Sequence, residues 1–151
     1  MKILFVCSGN TCRSCMAEAI FNNLNTSTDI KALSAGISVF PGSKTSLNSA
    51  AVLKENINLD ISSRSPVQLT PYLIEDVSLV LTMTARIRDI LRDTNESSSN
   101  KIYSLNEYIG VEDDICDPYG GNIDVYRKTY TDLRSSILVL IEKLKEDTSI
   151  K

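Results

Sequence analysis

The chain has 151 residues, 42% hydrophobic and 23% charged, a size and balance that suit one globular unit with a sizeable core. Its net charge of -3 gives no basic field to hold nucleic acid or an anionic membrane. It contains no histidine, which removes Ser-His and Cys-His hydrolase mechanisms and all histidine-bearing metal sites, leaving Asp, Glu, Cys, Tyr, Lys or water to move protons.

The apolar start, Met1 to Val6, is too short and too soon followed by polar residues for a signal peptide, and no apolar run approaches membrane-spanning length. The expectation is a soluble, cytoplasmic protein without a membrane partner. Residues 2–6 read as a strand buried on both faces of a parallel sheet. A polar loop, 8–13, follows at once. From Ser14 onward Ala17, Ile20, Phe21 and Leu24 recur at i, i+3, i+4 and i+7, which describes one face of a helix. Cys7 and Arg13 therefore bracket a strand-to-helix turn.

A second apolar piece at 30–33 ends in Ser34-Ala35-Gly36, and past the breaker Pro41-Gly42 the spacing of Leu47, Ala50, Leu53 and Ile57 predicts another helix. Val77 to Met83 reads as a central strand. Thr84 is placed to cap a helix with Ile87, Ile90 and Leu91 inward and Arg86, Arg88 and Arg92 on a solvated face. Residues 94–100 read as its exit loop and 101–105 as a last strand. A loop through Asp117-Pro118-Tyr119-Gly120-Gly121 then leads to a long helix over about 122–145, with Tyr126, Tyr130, Leu133, Ile137, Leu140 and Leu144 as its buried stripe. Strands alternating with helices predict an α/β fold: an open four-stranded parallel sheet with helices on both faces, in a single domain spanning 1–151. Ligands of such sheets bind at the carboxyl ends of the strands, where the Cys7 loop lies.

Cys7-Ser8-Gly9-Asn10-Thr11-Cys12-Arg13-Ser14 has the parts of a phosphoryl-binding loop. A loop entering a helix supplies unpaired backbone N-H groups and the positive end of the helix dipole. Gly9 and Asn10 both tolerate left-handed backbone angles, which a nest of inward amides requires. Arg13 adds a planar fork for two phosphoryl oxygens. The same field favours the thiolate of Cys7, making it a nucleophile, and Ser14 is spaced to donate a hydrogen bond to that sulfur. Cleaving a phosphoester or phosphoramidate also needs a proton for the leaving group, and Asp117 is the candidate acid. As a carboxylate it could then activate the water that hydrolyses the cysteinyl phosphate.

Val6 to Ser14, together with Asp117-Pro118-Tyr119-Gly120-Gly121, resembles the low-molecular-weight protein tyrosine phosphatase family. Ser34-Ala35-Gly36, Leu81-Thr82-Met83 and Leu105-Asn106-Glu107-Tyr108 fall in family order and spacing, so the resemblance covers essentially the whole chain. It implies a phosphatase acting on phosphorylated proteins and releasing inorganic phosphate, with nucleophile Cys7, phosphate-binding Arg13, general acid Asp117, an aromatic rim at Tyr119, and no metal or cofactor. It also implies that Cys12 can form a reversible, protective disulfide with the nucleophile. Two positions depart from the common pattern. Cys15 replaces a proline suited to the start of the helix. Thr11 replaces the isoleucine of many tyrosine-specific members and resembles the bacterial subgroup that removes phosphate from arginine in proteins.

Other readings stay open at this point. Cys7-x4-Cys12-x2-Cys15, with Cys116 as a distant fourth ligand, also fits a [2Fe-2S] ferredoxin spacing. A phosphate-binding module would need the loop without nucleophile and acid, and Asp117 is also a natural turn residue. Cys12 equally suits a small buried packing role.

Overall fold

The computed structural model describes residues 1–149. The strands β1 (Lys2–Cys7), β2 (Lys31–Gly36), β3 (Leu79–Thr82) and β4 (Ile102–Ser104) form one sheet in the order β2-β1-β3-β4, with every pair parallel. Apart from Lys2 and Thr82 the two inner strands are apolar because both of their faces are covered, and Ile3 to Cys7 and Leu79 to Thr82 are all buried. Side chains alternate across the pleat. On one face Ile3, Phe5 and Leu81 meet α1 (Arg13–Leu24), α2 (Leu47–Ile57) and the carboxyl-terminal helix over Ile123–Ser149. On the other, Leu4, Val6 and Val80 meet α3 (Pro71–Asp76) and α4 (Ala85–Thr94). The rings of Phe5 and Phe21 sit 6.2 Å apart, tilted, and join β1 to α1.

The expected open parallel sheet with helices on both faces is therefore what the chain forms. The helix stripe expected on the long carboxyl-terminal helix is buried as read, from Tyr126 to Leu144. Between β4 and that helix lies α5 (Leu105–Ile109), so the long helix is α6. Among the described residues no helix is long and apolar enough to cross a membrane.

Several local expectations are corrected. The central strand is shorter than 77–83, since Val77 and Met83 flank β3 rather than pair within it. Helix α2 turns its face differently: Leu47 is 86% exposed, whereas Ser49, Val52 and Leu53 point inward. Ser46 caps it by accepting the Ser49 N-H at 3.2 Å, which places Leu47 in the first turn, outside the packed stripe. Ile90 of α4 is 39% exposed, so only Ile87 and Leu91 anchor that helix. The stretch 94–100 is not a plain loop, because Glu96–Lys101 forms a 3-10 turn. Arg88 and Arg92 are not simply solvated either. Both pair with Glu107, and Arg92 lies over the Tyr103 ring at 5.4 Å. The two short helices, α3 and α5, escaped a periodicity reading because neither exceeds two turns. Their end signals are present nonetheless: a Thr70 cap followed by Pro71 as the first residue of α3, and a Ser104/Glu107 capping box on α5.

The chain leaves β1 toward β2 on one side, and β3 takes its place on the other side of β1. A crevice forms where connections diverge, outside the carboxyl end of β1, and Cys7 is the last residue of that strand. The end of β2 presses into the same corner. A Cβ on Gly36 would stand 2.8 Å from the Ser8 carbonyl oxygen and 2.9 Å from the Asn10 nitrogen, both backbone atoms that cannot swing aside. Gly36→Ala is expected to push the 8–10 segment outward and to cost about 1–3 kcal/mol of stability, the usual penalty of overpacking. Urea denaturation of the purified variant measures it, and a stability equal to wild type would contradict the close approach.

Candidate active site

The loop that follows Cys7 wraps a pocket of about 210 Å3 lined by Cys7, Ser8, Gly9, Thr11, Cys12, Arg13, Asp117 and Tyr119. Helix α1 starts at this loop, and Cys12, which precedes its first residue, offers no side-chain cap. The first-turn N-H groups thus have no capping side chain and face the loop side, the arrangement that suits an anion.

Segments a hundred residues apart meet here. The Ile115 N-H donates to the Met83 carbonyl at 3.0 Å, tying the 115–121 loop to the end of β3. Arg13 is 5% exposed, and its Nη1 donates to the Ile115 carbonyl at 3.1 Å while Nη2 lies 3.6 Å from Asp117 Oδ2. The guanidinium is thereby aimed along the pocket wall. Asp117 also accepts the Tyr119 N-H at 3.1 Å, forming an Asx turn that fixes the carboxylate over the pocket mouth. Gly120 turns the chain away with φ +82°. Tyr119 stands 83% exposed at the rim.

Beneath the pocket, Cys7 Sγ lies 2.8 Å from Ser14 Oγ and accepts the Asn10 N-H at 3.3 Å. Of the two residues expected to use left-handed angles, only Asn10 does, at φ +59°. Asn10 and Ser14 do not line the pocket; both are fully buried below it. The Asn10 amide donates to Ser14 Oγ at 2.7 Å and to Ser34 Oγ at 3.0 Å, and accepts from the Val67 N-H at 2.9 Å and Arg64 Nη1 at 3.0 Å. Both donors and both lone-pair sites of the amide are used. Arg64 further donates to Ser34 Oγ at 2.8 Å and pairs with Glu18 at 3.4 Å, and Ser34 donates to Glu18 Oε1 at 2.8 Å.

Arg64, Ser34 and Glu18 were missed as site residues by sequence reasoning. Arg64 lies in an irregular segment with no periodicity. Ser34 did carry a signal, a hydroxyl in the middle of a buried strand, which needs a partner.

The other cysteines separate. Cys12 Sγ lies 3.5 Å from Ser46 Oγ and 3.6 Å from the Tyr126 hydroxyl. Burial pushes the Tyr126 hydroxyl up to about 12, and the contact with Cys12 acts in the same direction, so at neutral pH the phenol keeps its proton. Cys15 donates to the Cys12 carbonyl at 3.2 Å, and burial pushes its thiol up and keeps it neutral. Cys116 is exposed. Among the described residues no three cysteines or carboxylates stand together as metal ligands, so the iron-sulfur reading of the cysteine spacing has no ligand set.

The family model for low molecular weight phosphotyrosine protein phosphatase matches residues 2–150. A protein-arginine-phosphatase of Bacillus subtilis (strain 168) is 37% identical over 151 residues, covering 97% of this chain and 99% of that protein. A low molecular weight protein-tyrosine-phosphatase, PtpB, of Staphylococcus epidermidis is 38% identical over 149 residues, covering 96% and 97%. Among solved structures, a cysteine-to-serine mutant of YwlE arginine phosphatase with a phosphorylated active-site serine superposes with a TM-score of 0.90 at 33% identity, covering 100% of both chains.

The buried network under Cys7 makes a direct prediction. Arg64→Met removes charge-assisted hydrogen bonds to Asn10 and Ser34 and is expected to lower stability by about 1–3 kcal/mol, with Arg64→Lys intermediate. Thermal or urea unfolding of the three proteins checks the order. Equal stabilities would mean that the guanidinium holds nothing in place.

Proposed function

The chain belongs to the low molecular weight phosphotyrosine protein phosphatase family and is a protein phosphatase, and from that premise we propose that it removes phosphate from arginine side chains of proteins. The observation that carries this reading is Thr11, whose side chain lines the pocket beside Cys12, with Oγ1 3.7 Å from the Cys12 sulfur. A hydroxyl there gives the polar guanidinium of phosphoarginine a hydrogen-bonding wall, whereas an aromatic ring gains most from an apolar one. The relatives named as arginine phosphatases support the same substrate. Those named as tyrosine phosphatases support phosphotyrosine as the second reading.

In the proposed mechanism the phosphoryl oxygens occupy the cradle of loop amides and the Arg13 fork. Ser14 and the Asn10 N-H stabilise the Cys7 sulfur as a thiolate, which attacks phosphorus. The sulfur-phosphorus bond forms as the phosphorus-nitrogen bond breaks, or the phosphorus-oxygen bond of phosphotyrosine. Asp117 gives its proton to the departing guanidine nitrogen or phenolic oxygen. As a carboxylate it then takes a proton from the water that attacks the cysteinyl phosphate. Inorganic phosphate leaves, Asp117 is protonated again, and Ser14 steadies the returning thiolate. Arg13, 3.6 Å from Asp117, faces both the phosphoryl charge and the carboxylate and helps keep the acid on the leaving-group side. The reaction requires phosphorylated protein as partner, and we place it in the cytoplasm.

The test compares phosphate release from a phosphoarginine peptide and a matched phosphotyrosine peptide by wild type and Thr11→Ile, with Cys7→Ser as blank. Wild type is expected to favour phosphoarginine, and Thr11→Ile to move the ratio of the two kcat/KM values toward phosphotyrosine by about tenfold or more, the scale of one wall contact. A wild-type preference for phosphotyrosine would transfer the conclusion to the second reading. Activity of Cys7→Ser equal to wild type would remove the cysteine mechanism itself.

A further inference from the structure

A second hollow, of about 650 Å3, opens directly beside the phosphate pocket and shares Ser8, Arg13 and Asp117 with it. Its other walls are unlike those of the pocket. Ile37, Ile87 and Ile90 give it an apolar floor, and Ile90 is the residue of α4 that the helix leaves 39% exposed. The floor continues past Ile37 and Ile90 into a further hollow of about 260 Å3 lined by Leu69, Pro71 and Leu91, among others. An apolar track thus leads away from the phosphate loop along α4.

The charges around the track are unequal in their engagement. Asp114 accepts the Ala85 N-H at 2.9 Å at the amino terminus of α4, where the helix dipole favours a carboxylate. Asp117 faces Arg13. Arg88 and Arg92 are tied to Glu107. Arg86, exposed and lining the hollow, makes no ion pair among the described residues. It is the charge on this wall that still has a partner to gain.

We propose that this groove holds the stretch of substrate polypeptide next to the phosphorylated residue, with an aliphatic side chain over Ile37, Ile87 and Ile90 and an acidic side chain at Arg86. The proposal rests on the protein-phosphatase reading and deepens it. A polypeptide whose phosphoryl group is seated over Cys7 has to carry its neighbouring residues across the pocket rim. The groove is continuous with that rim through Ser8 and Asp117, and its chemistry matches an apolar residue followed by an acid. Burying one aliphatic side chain there and pairing one charge strengthens the binding of a matched peptide while leaving a small aryl phosphate without those contacts.

The experiment measures kcat/KM for two phosphopeptides that differ only beside the phosphorylated residue, one carrying Leu and Glu and the other two serines, placed on either side in turn. An aryl phosphate serves as internal reference. Wild type is expected to favour the Leu-Glu peptide by about tenfold on one side. Ile90→Lys should erase that advantage, read as the ratio of peptide to aryl phosphate turnover. Arg86→Glu should weaken the Leu-Glu peptide and favour one with lysine in place of glutamate, a reversal that general damage to the fold does not produce. Equal handling of all peptides by wild type, or variants that change peptide and aryl phosphate alike, would overturn the groove while the phosphatase stands. Absence of aryl phosphate hydrolysis in wild type would instead overturn the phosphatase reading, and the groove with it.

Discussion

The side-chain amide of Asn10 donates to Ser14 and Ser34 and accepts from Arg64 and the Val67 backbone, and the loop around Cys7 takes its shape from those four bonds. A residue with positive φ that is not glycine carries a conformational cost of about 1 kcal/mol or more. It persists here because leaving any of these buried groups unpaired costs more. Alanine keeps the strain and loses the bonds; glycine relieves the strain and also loses them. Only a short amide at this position both adopts the angle and fills the four contacts. The backbone N-H that results from this conformation points at the Cys7 sulfur, so the strain is coupled directly to the proposed nucleophile.

Around that fixed loop the fold solves a charge problem. The protein as a whole is acidic, yet the proposed reaction needs an anion held in the pocket. Amides at the start of α1 and one buried guanidinium concentrate the positive potential at the proposed phosphoryl site, rather than spreading it over the surface. Arg13 would be costly to bury alone. The Ile115 carbonyl and the Asp117 carboxylate offset that cost, and both belong to a loop hung from the end of β3. The same ion pair therefore stabilises the buried arginine and positions the proposed acid.

The parts of this arrangement that follow from local chemistry were readable from the sequence. Ile3 to Val6 could only be a two-faced strand, Ala17 to Leu24 only one face of a helix, and Cys7 to Arg13 had to join them. What failed to show was whatever depends on tertiary packing. Leu47 matched a helical stripe by spacing, but the Ser46 cap set the turn so that it points outward. Ile90 matched the stripe of α4 and instead lies at the open groove. Arg64 had no motif at all; its role exists only because the 64–68 segment packs under the loop. Asp117 was legible as the candidate acid and as a turn residue, and its meeting with Arg13 became visible only once the Ile115 to Met83 hydrogen bond hung its loop from the end of β3.

The claim at the centre is that phosphate passes through the sulfur of Cys7, with Asp117 needed to hydrolyse what forms there. Acid quenching of Asp117→Asn during its first turnovers of 4-nitrophenyl phosphate, whose leaving group departs without a proton donor, tests both parts together. A burst of 4-nitrophenol stoichiometric with enzyme is expected, with a phosphate located on Cys7 by mass spectrometry. Steady release without a burst, or a phosphate found on any residue other than Cys7, would contradict it.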